Sequence, residues 1–156
     1  MLKKTLDFTI PEQDIEITED TQLFGLFVGH GDDAVKSRIN IVHRLPNLTS
    51  RVNIKAVVFD TANFDLEAKL LIDDGASNSD TYLKIDALIM HEGAKARAVP
   101  SLEIKEDNVK GGHGATVGQV NRDQVHYLMS RGFSMPDAEK LLVEAFIQDI
   151  QIAIAA

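Results

Sequence analysis

The sequence predicts a mainly β protein, a region of about 118 residues of short strands followed by a helical hairpin. Three observations carry this. Apolar residues alternate with polar ones from Leu6 to Ile89 in repeated short bursts, the period-two mark of half-buried strands. Turn formers separate the bursts, and no helical pattern intervenes. After Gly118 the period becomes helical. The expected division is therefore 1–118 and 119–156, joined in one compact unit.

The strands follow in order. Leu6, Phe8 and Ile10 alternate first, then Ile15 and Ile17. Leu23–Val28 is an apolar run interrupted by Gly25. Ile39 and Ile41 come next, then Val52 to Val58, Leu66 to Ile72 and Leu83 to Ile89 at alternate positions. A weaker stretch, Ala96–Ile104, contains Pro100. Between them lie GHGDD (29–33), LPNLTS (45–50), DTAN (60–63), DDGASNSD (73–80) and EGAK (92–95). From Ile39 the onsets recur about every 13 to 17 residues. Such spacing fits an antiparallel sandwich or a β-solenoid, and alternation alone does not separate them.

Asn121 can cap a helix, with Gln124 placed for a capping box, and Val125, Leu128 and Met129 share a face. Gly132 suits the C-terminal stop. Ser134 and Asp137 open a second helix, with Pro136 in its first turn. Its expected apolar stripe runs through Ala138, Leu141, Leu142, Ala145, Phe146, Ile150, Ala153 and Ile154. Part of this stripe packs on the sheet. Phe133, Met135, Phe146 and the 152–154 tail exceed what one packing face needs and are candidates for docking a partner.

Composition narrows the classes. Hydrophobic residues make up 44% and charged residues 26%, the balance of a soluble globular chain. Acidic residues outnumber basic ones 24 to 16, and Lys36–Arg38, the nearest thing to a basic cluster, reads as a solvated turn, so nucleic acid is not an expected partner. No apolar run reaches the roughly 20 residues of a membrane span. The N-terminus lacks the apolar core of a secretory signal, so a cytoplasmic location is expected. There are no cysteines, hence no disulfide, thiolate ligand or thiol nucleophile. GGHGATVG (111–118) lacks the Lys-Ser/Thr of a P-loop, and no hydrolase elbow is present, so no enzyme is expected. Asp73, Asp74 and Gly75, with Ser77, Asn78 and Asp80, lack the closing Glu of a calcium loop and read as a turn.

Several elements in the segment 100–150 then match one family in order: PSLEI, a D-x-V, HGATVG, D-Q-x-x-Y-L-x-S-R-G and A-x-x-L-L-x-x-A-F. This resembles the C-terminal end of SufB and SufD proteins, and the stretch from His43 onward is similar to that family's core. The resemblance implies a right-handed parallel β-helix followed by C-terminal helices. It implies a scaffold for iron–sulfur cluster assembly, paired through its β-helix with a SufB-like subunit or with itself, and docked by a SufC-like ABC ATPase on the helices.

The ATPase-docking residues so implied are Tyr127, Leu128, Arg131, Gly132, Phe133, Leu142 and Phe146. His113, in the HGAT motif, is the candidate ligand for transient iron or a cluster, against a structural role at the last solenoid turn. His91, beside Glu92, is a weaker candidate. His43, His30 and His126 are weaker still. The chain begins almost directly in the β-core, so a short SufD-like form without the family's N-terminal helical region is expected. SufB-type members carry a cysteine in the segment matching Met90–Ala96, and this chain has none there. Gly111-Gly112 stands where SufD-like members often have Cys-Ser. The alternative is a paralogue that binds structurally without a cluster role. A β-helix enzyme using a His–carboxylate pair ranks last, because no paired carboxylates can be placed.

Overall fold

The computed structural model describes residues 1–155. Nine strands precede two helices: β1 (Leu2–Thr5), β2 (Glu12–Ile17), β3 (Thr21–Gly29), β4 (Ala34–His43), β5 (Thr49–Val58), β6 (Asn63–Ile72), β7 (Asp80–Ile89), β8 (Lys95–Ile104), β9 (Lys110–Gln119), α1 (Arg122–Ser130) and α2 (Met135–Ala155). Odd strands form one sheet in the order β1-β3-β5-β7-β9, and even strands form a second, β2-β4-β6-β8. Every pairing is parallel. The chain thus winds as a β-solenoid, two strands to a turn, which settles the choice that alternation left open. From β3 onward equivalent positions fall 29 to 32 residues apart, as in Thr21↔Ser50 and Asn63↔Lys95.

The alternation now has a cause. One side chain in two points between the sheets, and Ile39, Ile54, Leu66, Leu70, Leu83 and Ile85 are fully enclosed there. Each such residue contributes about 1.5–3 kcal/mol by leaving water. Their in-register stacking, Val52↔Leu83 and Ile54↔Ile85 for instance, makes one continuous core along the solenoid axis. The turns stack too. Asn47 and Asn78 both adopt positive φ, and Asn78 donates to Asn47 at 3.0 Å while Asn108 donates to Asn78 at 2.7 Å.

Three details differ from the sequence reading. Leu6, Phe8 and Ile10 do not form a strand. β1 ends at Thr5, and the Asp7 carboxylate accepts from the Thr9 amide and hydroxyl, closing a local turn. Lys36–Arg38 is not a turn but part of β4. β9 is a full strand, although its Gly-rich sequence carries no alternation.

The outer face of the even sheet is a ladder of alternating charge. Arg38 bridges Glu12 and Glu67, Arg97 bridges Asp65 and Glu67, and Lys105 bridges Asp73 and Glu103. These pairs are half-exposed, so each contributes at most about 1 kcal/mol. The outer face of the odd sheet is instead apolar on β3 and β5 and just beyond the C-terminal ends of β7 and β9, and the helices cover it. Phe24, Val57, Met90 and Val120 pack against Val125, Ala138, Val143, Ile147 and Ile150. No helix of the described residues is long and apolar enough to cross a membrane.

Candidate functional site: helical corner and open solenoid end

The helical corner is built by three caps. The Asn121 side chain accepts from the amides of Asp123 and Gln124 and starts α1. At the other end the Phe133 amide donates to the Leu128 carbonyl, and the Gly132 amide to Met129, a Schellman closure. It needs φ near +102° at Gly132, where a side chain would be strained. Ser134 and Asp137 then open α2, the Asp137 amide donating to the Ser134 hydroxyl at 3.2 Å. All three residues are those singled out from the sequence.

The buried stripe of α2 is rotated from the one expected. Ala138, Val143, Ile147 and Ile150 face the sheet, while Leu141 and Ala145 are exposed. Val143 and Ile147 are β-branched residues that the i, i+3, i+4 count passed over in favour of neighbouring alanines and leucines. The candidate docking residues therefore divide. Tyr127 and Phe133 are exposed at 60% and 43%, with Met129 and Met135 beside them in sequence and also exposed. Arg131 lies over the Tyr127 ring at 5.7 Å, a cation–π contact that holds both at the corner. Gly132 is in the exposed bend. Leu128, Leu142 and Phe146 are half-buried against the sheet cluster. Phe146 is also tied down by Lys55, whose ammonium meets its carbonyl at 2.6 Å, the Asp149 carboxylate at 2.6 Å and the Phe146 ring at 4.9 Å. Burial pushes the Asp149 carboxyl up, but the Lys55 contact and the Ile150 amide outweigh it and hold it below the usual range.

The second feature is the end of the solenoid after β9. The inward-facing residues of β9 have no further turn over them. His113 stands in register with the enclosed Leu83, yet it is exposed, as are Ala115 and Val117. Opposite, on β8, Leu102 is half-covered and Ile104 is 44% exposed. The glycines before and after His113 have a packing reason. A Cβ on Gly112 or Gly114 would lie 3.0–3.1 Å from the Tyr82 side chain, which covers the outer face there.

Both last strands present an unpaired edge, and the two edges differ. In β8, Lys95 and Lys105 donate back toward β6, so the alternate residues, Pro100 among them, turn their backbone outward. Proline has no N–H to offer, which blunts that edge. In β9, Lys110 and Val120 donate back toward β7, so Gly111, His113, Ala115, Val117 and Gln119 turn outward. That edge carries no proline, and no charged side chain from Gly111 to Gln119.

The histidines fall in separate places. His91 sits in the turn after β7, not paired with Glu92. Its Nδ1 accepts the Asp60 amide at 2.9 Å, and its Nε2 lies 3.8 Å from Glu139, which Arg122 holds at 2.9 Å. The Asp60 carboxyl is held low, chiefly by the Gly31 amide. With one ring nitrogen committed to the backbone, His91 joins the turn to α2. His43 is wholly buried, His30 stacks on Phe59 at 4.4 Å, and His126 is exposed on α1. Among the described residues no group of three or more His, Asp or Glu side chains is placed to hold a metal. His113 therefore belongs to no such group among the described residues.

Comparison with known proteins accords with this architecture. Residues 13–146 match the family model described as SUF system FeS cluster assembly, SufBD core domain. An iron–sulfur cluster assembly SufBD family protein of Mycobacterium leprae (strain TN) is 32% identical over 144 residues, covering 87% of this chain and 37% of that protein. One of Mycobacterium tuberculosis (strain ATCC 25618 / H37Rv) is likewise 32% identical over 144 residues, covering 87% and 36%. A second protein of that strain is 31% identical over 121 residues, 78% of this chain and 14% of its own length. The chain thus spans little more than a third, at most, of the curated relatives it matches. With the family model covering most of its length, the parallel solenoid with two C-terminal helices belongs to the SufBD family of iron–sulfur cluster assembly proteins.

Proposed function

We propose that this chain is a non-enzymatic scaffold subunit of a SUF-type assembly complex, docking a SufC-like ABC ATPase on its helical corner. The observation that carries the reading is the exposed apolar surface at that corner, Tyr127, Met129, Phe133 and Met135, on helices already anchored by a different face. Apolar side chains left over after a helix has packed are the usual anchors of a partner. Pairing with a SufB-like subunit, or with a second copy, takes place at the open solenoid end. There the uncovered core of the last turn and the unprotected β9 edge invite continuation by another chain's strands. His113 then lies at the pairing surface, where iron or a nascent cluster is cargo. Its imidazole supplies one ligand, and the others come from sulfide or the partner.

Calorimetry against a SufC-like ATPase tests the docking. The unsubstituted chain binds stoichiometrically, and Tyr127→Asp weakens binding by about a hundredfold, the scale of a lost interface anchor. Tyr127 is the better probe than Phe146, because Phe146 also packs on the sheet, so a charge there damages the fold. No binding by the folded, monodisperse chain would leave the other reading, a binding protein without a cluster role. The absence of cysteine favours that reading.

A further inference from the structure

The helical corner holds two of the chain's four methionines. Met129 is the penultimate residue of α1 and is 38% exposed, and Met135 opens α2 and is 46% exposed. They flank the Gly132 bend beside Tyr127 and Phe133. Met90 is 1% exposed beneath the helices, and the chain has no cysteine to intercept an oxidant. Thioethers oxidise according to exposure, and the product sulfoxide is strongly polar and accepts hydrogen bonds. The fold does not depend on these two side chains, since Val125 and Ala138 carry the packing of the same helices. Oxidation would therefore change what the corner can bind without unfolding it.

We propose that Met129 and Met135 are sites of reversible oxidation by hydroperoxides, and that their sulfoxides close the corner to its partner. The sulfur lone pair attacks one peroxide oxygen. The O–O bond breaks, an S–O bond forms, and the departing oxygen takes the proton of the transferred one and leaves as water from hydrogen peroxide or as an alcohol from an organic hydroperoxide. Sulfur loses two electrons and the peroxide gains them. A sulfoxide reductase restores the thioether with two electrons from a dithiol, which becomes a disulfide as the oxygen leaves as water. Burying a sulfoxide in an apolar contact costs free energy unless it finds a donor, so docking weakens. The proposal rests on the docking reading.

The test uses the full chain with hydrogen peroxide as the probe. Peptide mass spectrometry after graded exposure follows each methionine, and calorimetry against the ATPase follows docking. Met129 and Met135 oxidise at least about tenfold faster than Met90, following exposure. Docking weakens about tenfold or more, as when interface anchors are made polar. Met129→Leu/Met135→Leu, which conserves volume but has no thioether, is compared with itself and keeps after peroxide whatever affinity it has before it. Unchanged docking after complete oxidation of both residues, or equal sensitivity in the double variant, overturns the proposal. Failure of the untreated chain to dock overturns the docking reading and the closure with it. Oxidation of Met129 and Met135 no faster than Met90 removes the modification site whatever the docking result.

Discussion

His43 is enclosed completely at the end of β4, and its Nε2 meets the Ser50 hydroxyl at 2.8 Å. Ser50 in turn meets Thr81 at 2.6 Å, one turn further along the axis. The ring's Nδ1 has no partner, so a second proton would sit uncompensated in an apolar core. Burial accordingly pushes this imidazole below its ordinary 6.5. The native state keeps it neutral, while the unfolded chain takes a proton as pH falls through 6.5. Stability is therefore full above that pH and declines below it, down to the folded value. The slope is at most about 1.4 kcal/mol per pH unit. Urea midpoints at pH 7.5 and 5.5 should differ in the native sequence and differ less in His43→Asn. An equal difference in both would place the acid sensitivity elsewhere.

Helix α2 is held by an apolar face and by one buried cation. Lys55 is only 9% exposed along its side chain, whereas Asp149 is 61% exposed, so the pair is half in water and its Coulomb attraction is partly screened. The more valuable contact is the one to the Phe146 carbonyl, made out of water. Lys55→Met keeps the length of the stem and removes the donors. It should cost about 1.5–3 kcal/mol, the range for hydrogen bonds to charged groups. Amide exchange around Phe146 should rise with it, and unchanged protection along α2 would show that apolar packing alone holds the helix. The caps at Asn121, Gly132 and Ser134 act at the same scale: each fixes where a helix begins or ends, and together they set the corner proposed for docking.

At the scale of the whole molecule, the solenoid has one end whose core is uncovered and whose β9 edge is unprotected. Val117 is 42% exposed on that end, on the face that would be sealed by pairing. Val117→Lys should leave circular dichroism unchanged and convert dimers, of this chain or with a SufB-like subunit, to monomers in light scattering. A native chain that stays monomeric alone and in the mixture would sink the pairing. The charged outer face of the even sheet works in the opposite direction, since its ladder satisfies its own charges and offers no comparable apolar surface.

Much of this was written in the chain. Strand spacing, the turn residues, the change of period after Gly118 and the caps at Asn121, Gly132 and Ser134 are local, set by backbone sterics and side-chain chemistry within a few residues. The motifs from PSLEI to the A-x-x-L-L helix pointed to the family. The tertiary structure decided what depends on distant partners. Parallel pairing joins residues about 30 apart, which no short window contains. β9 is a strand because β7 supplies its hydrogen bonds, although glycines hide any alternation. The true face of α2 was fixed by the sheet beneath it, so Val143 and Ile147 turned in and Leu141 turned out. His91 found Asp60 and Glu139 rather than its neighbour Glu92. His113 lies open because no further turn of this chain covers β9, and burial is a property of what stacks above a residue rather than of the residue itself.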